Sequence, residues 1–508
     1  MRKKALLVTC VVAAAMVLPV STASALDDVN TQRLRNAVTV NNILNHERAL
    51  DRIADRNGGT RASGTPGFRE SADYVEKALR SAGYRVTEQQ FDFAFFQELA
   101  APTLDQVSPT PKSYETATFQ YSGSGDVQGA LVPTNDVQIP PGPTPSSSNS
   151  GCEAADFDPP TSDHDVALIQ RGTCTFGQKA ANAKAAGYAA AIIFNEGQPG
   201  RTDLLTGTLG APEDIPVVGL SFADGQELYA ATQAGPTIVH VTTNTVSEIR
   251  PTWNILADSR TGNPDKAIVV GAHLDSVVEG PGINDNGSGT AVNLETAIQI
   301  ARLGLQPRQQ LRFAFWGAEE EGLLGSTHYV ASLSDDDLAK IYANLNFDML
   351  ASPNYVRFVY DGDGSDTGPV GPPGSAQIEQ LFDKYFADQG LASEPTAFDG
   401  RSDYGPFIAA GIPAGGLFSG AEGIKTAEEA ATYGGTAGEA YDSCYHQACD
   451  DITNLSTKAL FELGDAVAHA TWTLARSRSG LFEDGSRMAM SQAVTMDQFD
   501  YRGGHLVR

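Results

Sequence analysis

Three apolar runs in the second half of this chain each lead into ionisable residues, and that pattern limits the folds open to it. Residues 267–272 stop at His273, residues 311–316 run on to Glu319-Glu320-Glu321, and residues 341–347 stop at Asp348. Each run has the length of a buried strand, and helical spacing fills the gaps between them, as over residues 290–303. Strands that alternate with helices imply an α/β sheet with covering helices, and open sheets of this kind carry their sites just beyond strand ends. Asp348 also lies between Phe347 and Met349, and a carboxylate among apolar neighbours needs a partner.

Further elements follow the same periodicities. A strand is expected over residues 355–360 and a helix over 377–389. A long helix over 457–475 carries Leu460, Leu463, Val467 and Leu474 on one face. Residues 26 to about 100 read as mainly helical. Within them, residues 67–82 show helical spacing through Phe68, Ala72, Val75 and Leu79, closed by Gly83, before a partly alternating strand over 84–93. Residues 105–246 differ in character. A Pro- and Ser-rich loop precedes a strand at 166–169, an alanine-rich helix at 176–186 and a strand at 189–194. None of the candidate ligands lies there, so this stretch reads as an inserted domain. Residues 477–508 show no strong period.

At 508 residues the chain is long enough for two or three domains. Its net charge of -27 argues against nucleic acid and anionic membrane as partners. Arg2-Lys3-Lys4, an apolar run over residues 5–18 and Ala23-Ser24-Ala25 read as an export signal, so a secreted, extracellular protein is expected. The run is short for a membrane span, and no later segment reads as one. Of the five cysteines, Cys10 leaves with the signal. The remaining four suit an oxidising compartment. Pairing neighbours joins Cys152 to Cys174 and Cys444 to Cys449, although four cysteines allow three connectivities. Free thiols and a zinc cluster are the alternatives.

Five fragments carry the chemistry: Gly271-Ala272-His273-Leu274-Asp275-Ser276, Asn284-Asp285-Asn286-Gly287-Ser288-Gly289, Trp316-Gly317-Ala318-Glu319-Glu320-Glu321-Gly322, Asn346-Phe347-Asp348-Met349 and Cys444-Tyr445-His446-Gln447-Ala448-Cys449. Singly, they read as a surface pair, a turn or a solvated acidic face. Together they supply two imidazoles and a surplus of carboxylates. Two divalent ions that share a carboxylate and a water need that inventory.

The fragments resemble, in family order over about residues 252–475, those of the co-catalytic di-zinc aminopeptidases, the secreted bacterial leucine-type enzymes. The resemblance implies a mixed-sheet α/β/α zinc exopeptidase domain with two Zn2+ per chain. His273 and Asp348 would hold one ion, Glu320 and His446 the other, and Asp285 would bridge both. Glu319 would be the general base. Asp275 would orient His273, Tyr445 would donate to the developing oxyanion, and Met349, Arg401 and Phe418 would line the substrate cleft. Tyr404 stands where the nearest members have His. Residues 168–176 with Lys179, Ala183 and residues 192–195 resemble the protease-associated domain, a smaller α/β module that serves peptidases as a lid or a spacer. The implied division is a signal at 1–25, catalytic parts at 26–104 and 247–476, the protease-associated domain at 105–246, and a tail at 477–508.

The expected substrates are peptides with a free N-terminus, bulky and apolar at the first residue, cleaved by a monomer. Two rivals stand beside this reading: a glutaminyl cyclase of the same fold, working with one zinc, and a binding protein that has lost catalysis. Asp450-Asp451 could join a calcium site, as in some relatives, or meet the positive end of a helix dipole. His46, His164, His240, His328, His469 and His505 show no partner pattern, and His469 is expected to be packed or exposed.

Overall fold

The computed structural model describes Leu26, residues 28–478 and residues 480–482. The expected export signal and almost all of the expected tail lie outside the described residues. The three apolar runs are adjacent strands of one sheet. Asn263–His273 has Gln309–Trp316 on one side and Ile341–Phe347 on the other, and Ala414–Phe418 follows beyond the latter. All four run parallel, with Trp316 beside His273, Asn346 beside Gly271 and Phe347 beside Leu417. Their carboxyl ends therefore share one edge of the sheet. Antiparallel neighbours flank this centre, Ile238–Asp258 on one side and Phe358–Tyr360 on the other, so the sheet is mixed.

Side chains alternate across a strand, which divides the core in two. Ile268 and Val270 join Phe68, Val75, Leu79, Ala291 and Leu463 on one face. Val269 packs with Trp316, Tyr329 and Phe407 on the other. Helices thus cover both faces. Pro66–Ala82 shows why these helices sit where the sequence places them. Thr65 caps the start by accepting from the Phe68 amide, Pro66 occupies the first turn, and Gly83 ends the helix in the left-handed region at φ 95°. The final helix, Thr457–Arg476, follows its apolar face as expected. The strand expected over residues 355–360 is shorter and begins only at Phe358.

The strand expected over residues 84–93 instead runs from Arg85 to Ser108. Its partner Ile238–Asp258 pairs with it antiparallel from Arg85↔Asp258 to Ser108↔Ile238, through three register shifts. This ribbon belongs to both halves of the protein, so residues 105 and 246 fall inside continuous strands. Beyond it, Val166–Gln170, Ala190–Phe194 and Val217–Leu220 form a parallel set with Phe176–Ala186 and Phe222–Ala234 beside it. This smaller unit has its own cores on the two sides of its strands. The expected pairings Cys152–Cys174 and Cys444–Cys449 are both disulfides. Among the described residues no helix is long and apolar enough to cross a membrane.

Candidate metal centre

His273 closes its strand at the shared edge. Its Nε2 lies 3.2 Å from Asp285 Oδ1 and 3.1 Å from Asp348 Oδ1. His446 Nε2 lies 3.1 Å from Asp285 Oδ2 and 3.1 Å from Glu320 Oε2. Asp285 therefore turns one oxygen to each imidazole, and each imidazole has a second carboxylate of its own. Nitrogen and oxygen ligands about 2.0–2.2 Å from a tetrahedral zinc stand roughly 3.3–3.6 Å from one another. The four imidazole–carboxylate distances lie a few tenths of an ångström inside that spacing. Glu320 Oε1 is also buried without a hydrogen-bond partner. The donor set, nitrogen and carboxylate oxygen, suits zinc.

The loops behind the trios explain the geometry. Asp285 lies in the turn Ile283–Ser288. The amides of Asn284 and Asp285 donate to the two oxygens of Asp450, at 2.9 and 3.0 Å. Asn286 donates to the Phe347 carbonyl at 2.9 Å and accepts from the Met349 amide at 3.1 Å, which ties this turn to the strand end that bears Asp348. Ser402 Oγ donates to Asp348 Oδ2 at 2.6 Å. Arg61 is fully buried, donates to the Pro281 carbonyl at 2.8 Å and the Gly282 carbonyl at 2.5 Å, and also bonds the Leu274 carbonyl. His273 Nδ1 faces Asp275, 3.2 Å from its main-chain oxygen and 3.7 Å from its carboxylate. Asp275 Oδ1 also accepts from the Glu319 amide at 3.3 Å. Ala318, Met349 and His446 all have positive φ, at 53°, 55° and 56°. Such backbone is uncommon outside glycine and gathers at functional sites.

Asp450 corrects an expectation. The nearest following helix starts at Thr457 and is capped by Ser456, so Asp450 marks no helix start. Its carboxylate holds the Asp285 turn instead. Sequence reading also missed Ser402 and Arg61. The run Gly400-Arg401-Ser402-Asp403-Tyr404 held the signal for Ser402, whereas an arginine in a glycine-rich loop looks like a solvated one. Tyr404 lies apart from the trios, fully buried, and bonds Asp399 Oδ1 at 2.8 Å. His469 is packed, 2.9 Å from Thr31 Oγ1 and against the Tyr385 ring.

The charges at this edge favour a cation. Burial opposes a charged imidazole at His446, yet Glu320 and Asp285 raise its pKa to about 11. The same contest, with Asp348 and Glu319 as the facing carboxylates, holds His273 well above its usual range. Burial raises Glu320 to about 7 and lifts Glu319 well above an ordinary carboxyl. The Tyr445 ring stacks on the His446 ring at 3.8 Å, and burial holds its phenol protonated. Arg401 donates to the Tyr445 oxygen at 3.3 Å and pairs with Glu422 at 2.8 Å. A cleft of about 70 Å³ opens in front of these groups, walled by Met349, Tyr360, Arg401, Phe418 and Tyr445.

The sequence profile of peptidase family M28 matches residues 254–471, and that of the PA domain matches residues 127–228. An aminopeptidase of Pseudomonas aeruginosa is 47% identical over 477 residues, which cover 92% of this chain and 87% of that protein. The chain belongs to peptidase family M28. Leucine aminopeptidase 2 of Trichophyton rubrum is 38% identical over 458 residues, with 89% of this chain and 87% of its own covered. Among solved structures, the aminopeptidase from Aneurinibacillus sp. strain AM-1 is similar with a TM-score of 0.62 at 27% identity, over 88% of this chain and 96% of that one. A zinc aminopeptidase from Bacillus subtilis follows with a TM-score of 0.55 at 25% identity, over 86% and 96%. This M28 chain is a hydrolase of the aminopeptidase type with a PA domain set into its peptidase domain.

Proposed function

We propose that the chain is an exported aminopeptidase with two zinc ions, and that it removes bulky apolar residues from free N-termini. One observation carries the reading. Asp285 divides its two oxygens between two imidazole–carboxylate pairs, at 3.2 and 3.1 Å. His273 and Asp348 would hold one ion, and His446 and Glu320 the other. When bound, two zinc ions lower the pKa of a shared water and polarise the scissile carbonyl. A cyclase working with one zinc leaves the second trio unexplained, and a chain that had lost catalysis would not keep both trios beside a base. The calcium expectation at Asp450-Asp451 has no part in this reading.

The remaining work falls to side chains. Glu319, 3.9 Å from His273 Nε2, stands farther from that imidazole than Asp285 and Asp348 do. Burial raises its proton affinity, which suits a base that takes a proton from water and passes it to the leaving amine. Asp275 keeps the ring of His273 in orientation through its Nδ1. Arg401 donates to the Tyr445 oxygen, so the phenolic proton is free to meet the developing oxyanion. Glu319 and Asp348 also offer acceptors to a free α-amine. Met349, Tyr360 and Phe418 give the small cleft the apolar walls that a leucine-like side chain needs.

The test is hydrolysis of leucine-p-nitroanilide by purified protein, before and after chelation, with metal content by elemental analysis. The expected result is activity lost on chelation, restored by zinc, at two zincs per chain. Full activity with fewer than two bound transition metals refutes the proposal.

A further inference from the structure

A second cavity, of about 290 Å³, lies between the inserted domain and the catalytic sheet, and Glu320 walls both it and the small cleft. Thr118 and Gln120 line it from the inserted domain, and Val278, Glu279 and Glu321 from the catalytic side. Thr118 lies on the strand Ala117–Thr118, paired with Val217–Leu220. Gln120 is fixed through its amide, which donates to the Gly207 carbonyl at 2.9 Å. Yet Thr118 Oγ1 and Gln120 Oε1 are buried and find no partner in the protein. Native proteins rarely leave such atoms unpaired, so two in residues along one cavity wall mark this wall as one that packs incompletely on its own. Their chemistry matches the opposite wall. Gln120 Oε1 and the carboxyl oxygens of Glu279 and Glu321 are acceptors, and the Thr118 hydroxyl can accept as well. A strand of peptide brings amide donors, and a lysine or arginine brings a cation.

The small cleft holds about 70 Å³, room for one side chain. The rest of a peptide must leave past the trios, and the interdomain cavity starts at Glu320. We propose that this cavity seats the second and third residues of the substrate and favours a basic side chain there, with Glu279 as its counter-charge and Thr118 and Gln120 on the wall opposite. The inference rests on the aminopeptidase reading above. It makes the inserted domain one wall of the substrate site, with a preference written on the facing wall.

The experiment compares kcat/KM of the full chain for Leu-Lys-Ala against Leu-Glu-Ala and for Leu-Ala-Lys against Leu-Ala-Glu, with leucine-p-nitroanilide as reference. Glu279 is exposed, so the pair it forms is worth that of a surface ion pair, a preference of about twofold to fivefold for lysine in at least one position. Glu279→Gln should bring that ratio close to one, and Glu279→Lys should reverse it. Equal rates on lysine and glutamate peptides, from protein that hydrolyses leucine-p-nitroanilide, overturn the inference and leave the aminopeptidase reading standing. So does a lysine preference that Glu279→Lys leaves unmoved. Protein that cleaves neither reference nor peptides sinks both.

Discussion

Glu319 and Glu320 are neighbours in sequence that should fail in different ways. Glu320 Oε2 lies 3.1 Å from His446 Nε2 in a complete trio. Glu319 Oε2 lies 3.9 Å from His273 Nε2, farther than the oxygens of Asp285 and Asp348, and its amide is anchored on Asp275 Oδ1 at 3.3 Å. Glu319→Gln keeps that anchor, the size and most of the packing. It removes only the ability to take a proton. Loss of a general base is worth about 10²–10⁴ in rate, which is about 3–5 kcal/mol on the barrier. kcat on leucine-p-nitroanilide should therefore fall by that factor, with zinc content after gel filtration unchanged. In the proposed arrangement Glu320→Gln replaces an anionic ligand with a neutral amide. Even changes to groups behind the ligands cost about 10- to 100-fold in metal affinity, so this variant should lose at least that much and come off the column short of one zinc. A Glu319→Gln protein with near-normal kcat would refute the assignment. So would zinc loss in that variant with none in Glu320→Gln.

Two further outcomes follow from the geometry. The disulfide Cys444–Cys449 spans only five positions and encloses Tyr445 and His446. Loop entropy credits so short a loop with about 2 kcal/mol at most, so Cys444→Ser should shift the urea midpoint little while lowering kcat. A normal kcat in the folded variant counts against a role for the loop in holding His446. His469 is held neutral, its pKa lowered to about 4 by burial and by nearby Arg35. Unfolded, it binds a proton near 6.5. Between those values the unfolded chain holds more protons, so stability falls as the pH drops. Urea unfolding at pH 7 and pH 4.5 should show a loss from this group of about 2 kcal/mol, absent in His469→Gln. An equal pH dependence in that variant would exclude His469 as the source.

What the sequence made legible follows from range. An apolar run that leads into an ionisable residue is a local pattern, so the strand ends at His273, Glu319 and Asp348 could be read directly. The helix from Pro66 to Ala82 was legible for the same reason, since its spacing and its closing glycine lie within one segment. Asp285 was harder. Asn284-Asp285-Asn286-Gly287 spells a turn, and only resemblance suggested a bridge. The helix-end reading of Asp450 failed because what it holds, the Asp285 amide, lies 165 residues away in sequence. The ribbon was cut short for a similar reason. Past Phe96 the strand exposes Leu99 at 53% and shows no clean alternation, and pairing with residues 238–246, joined at its far end by residues 112–114, keeps it extended.

The same long-range bracing bears on why this edge of the sheet holds together. Carboxyls outnumber imidazoles here, and several are poorly served by the protein alone. Asp275 Oδ2 and Glu320 Oε1 are buried without partners. Burial pushes Asp450 up to about 7 even though it accepts the amides of Asn284 and Asp285. Buried carboxylates are costly unless a positive charge offsets them. Arg61, the one fully buried guanidinium among the described residues, spends its hydrogen bonds on the Leu274, Pro281 and Gly282 carbonyls rather than on these acids. It fixes the loops by hydrogen bonds and meets Glu47, Asp275, Asp450 and Asp285 only through the field of its charge. The loops are thus fixed by bonds that reach across the sequence, from Arg61 and Asn286 to main-chain carbonyls and from Ser402 to Asp348, and in the proposed reading the acids they present are completed by cations.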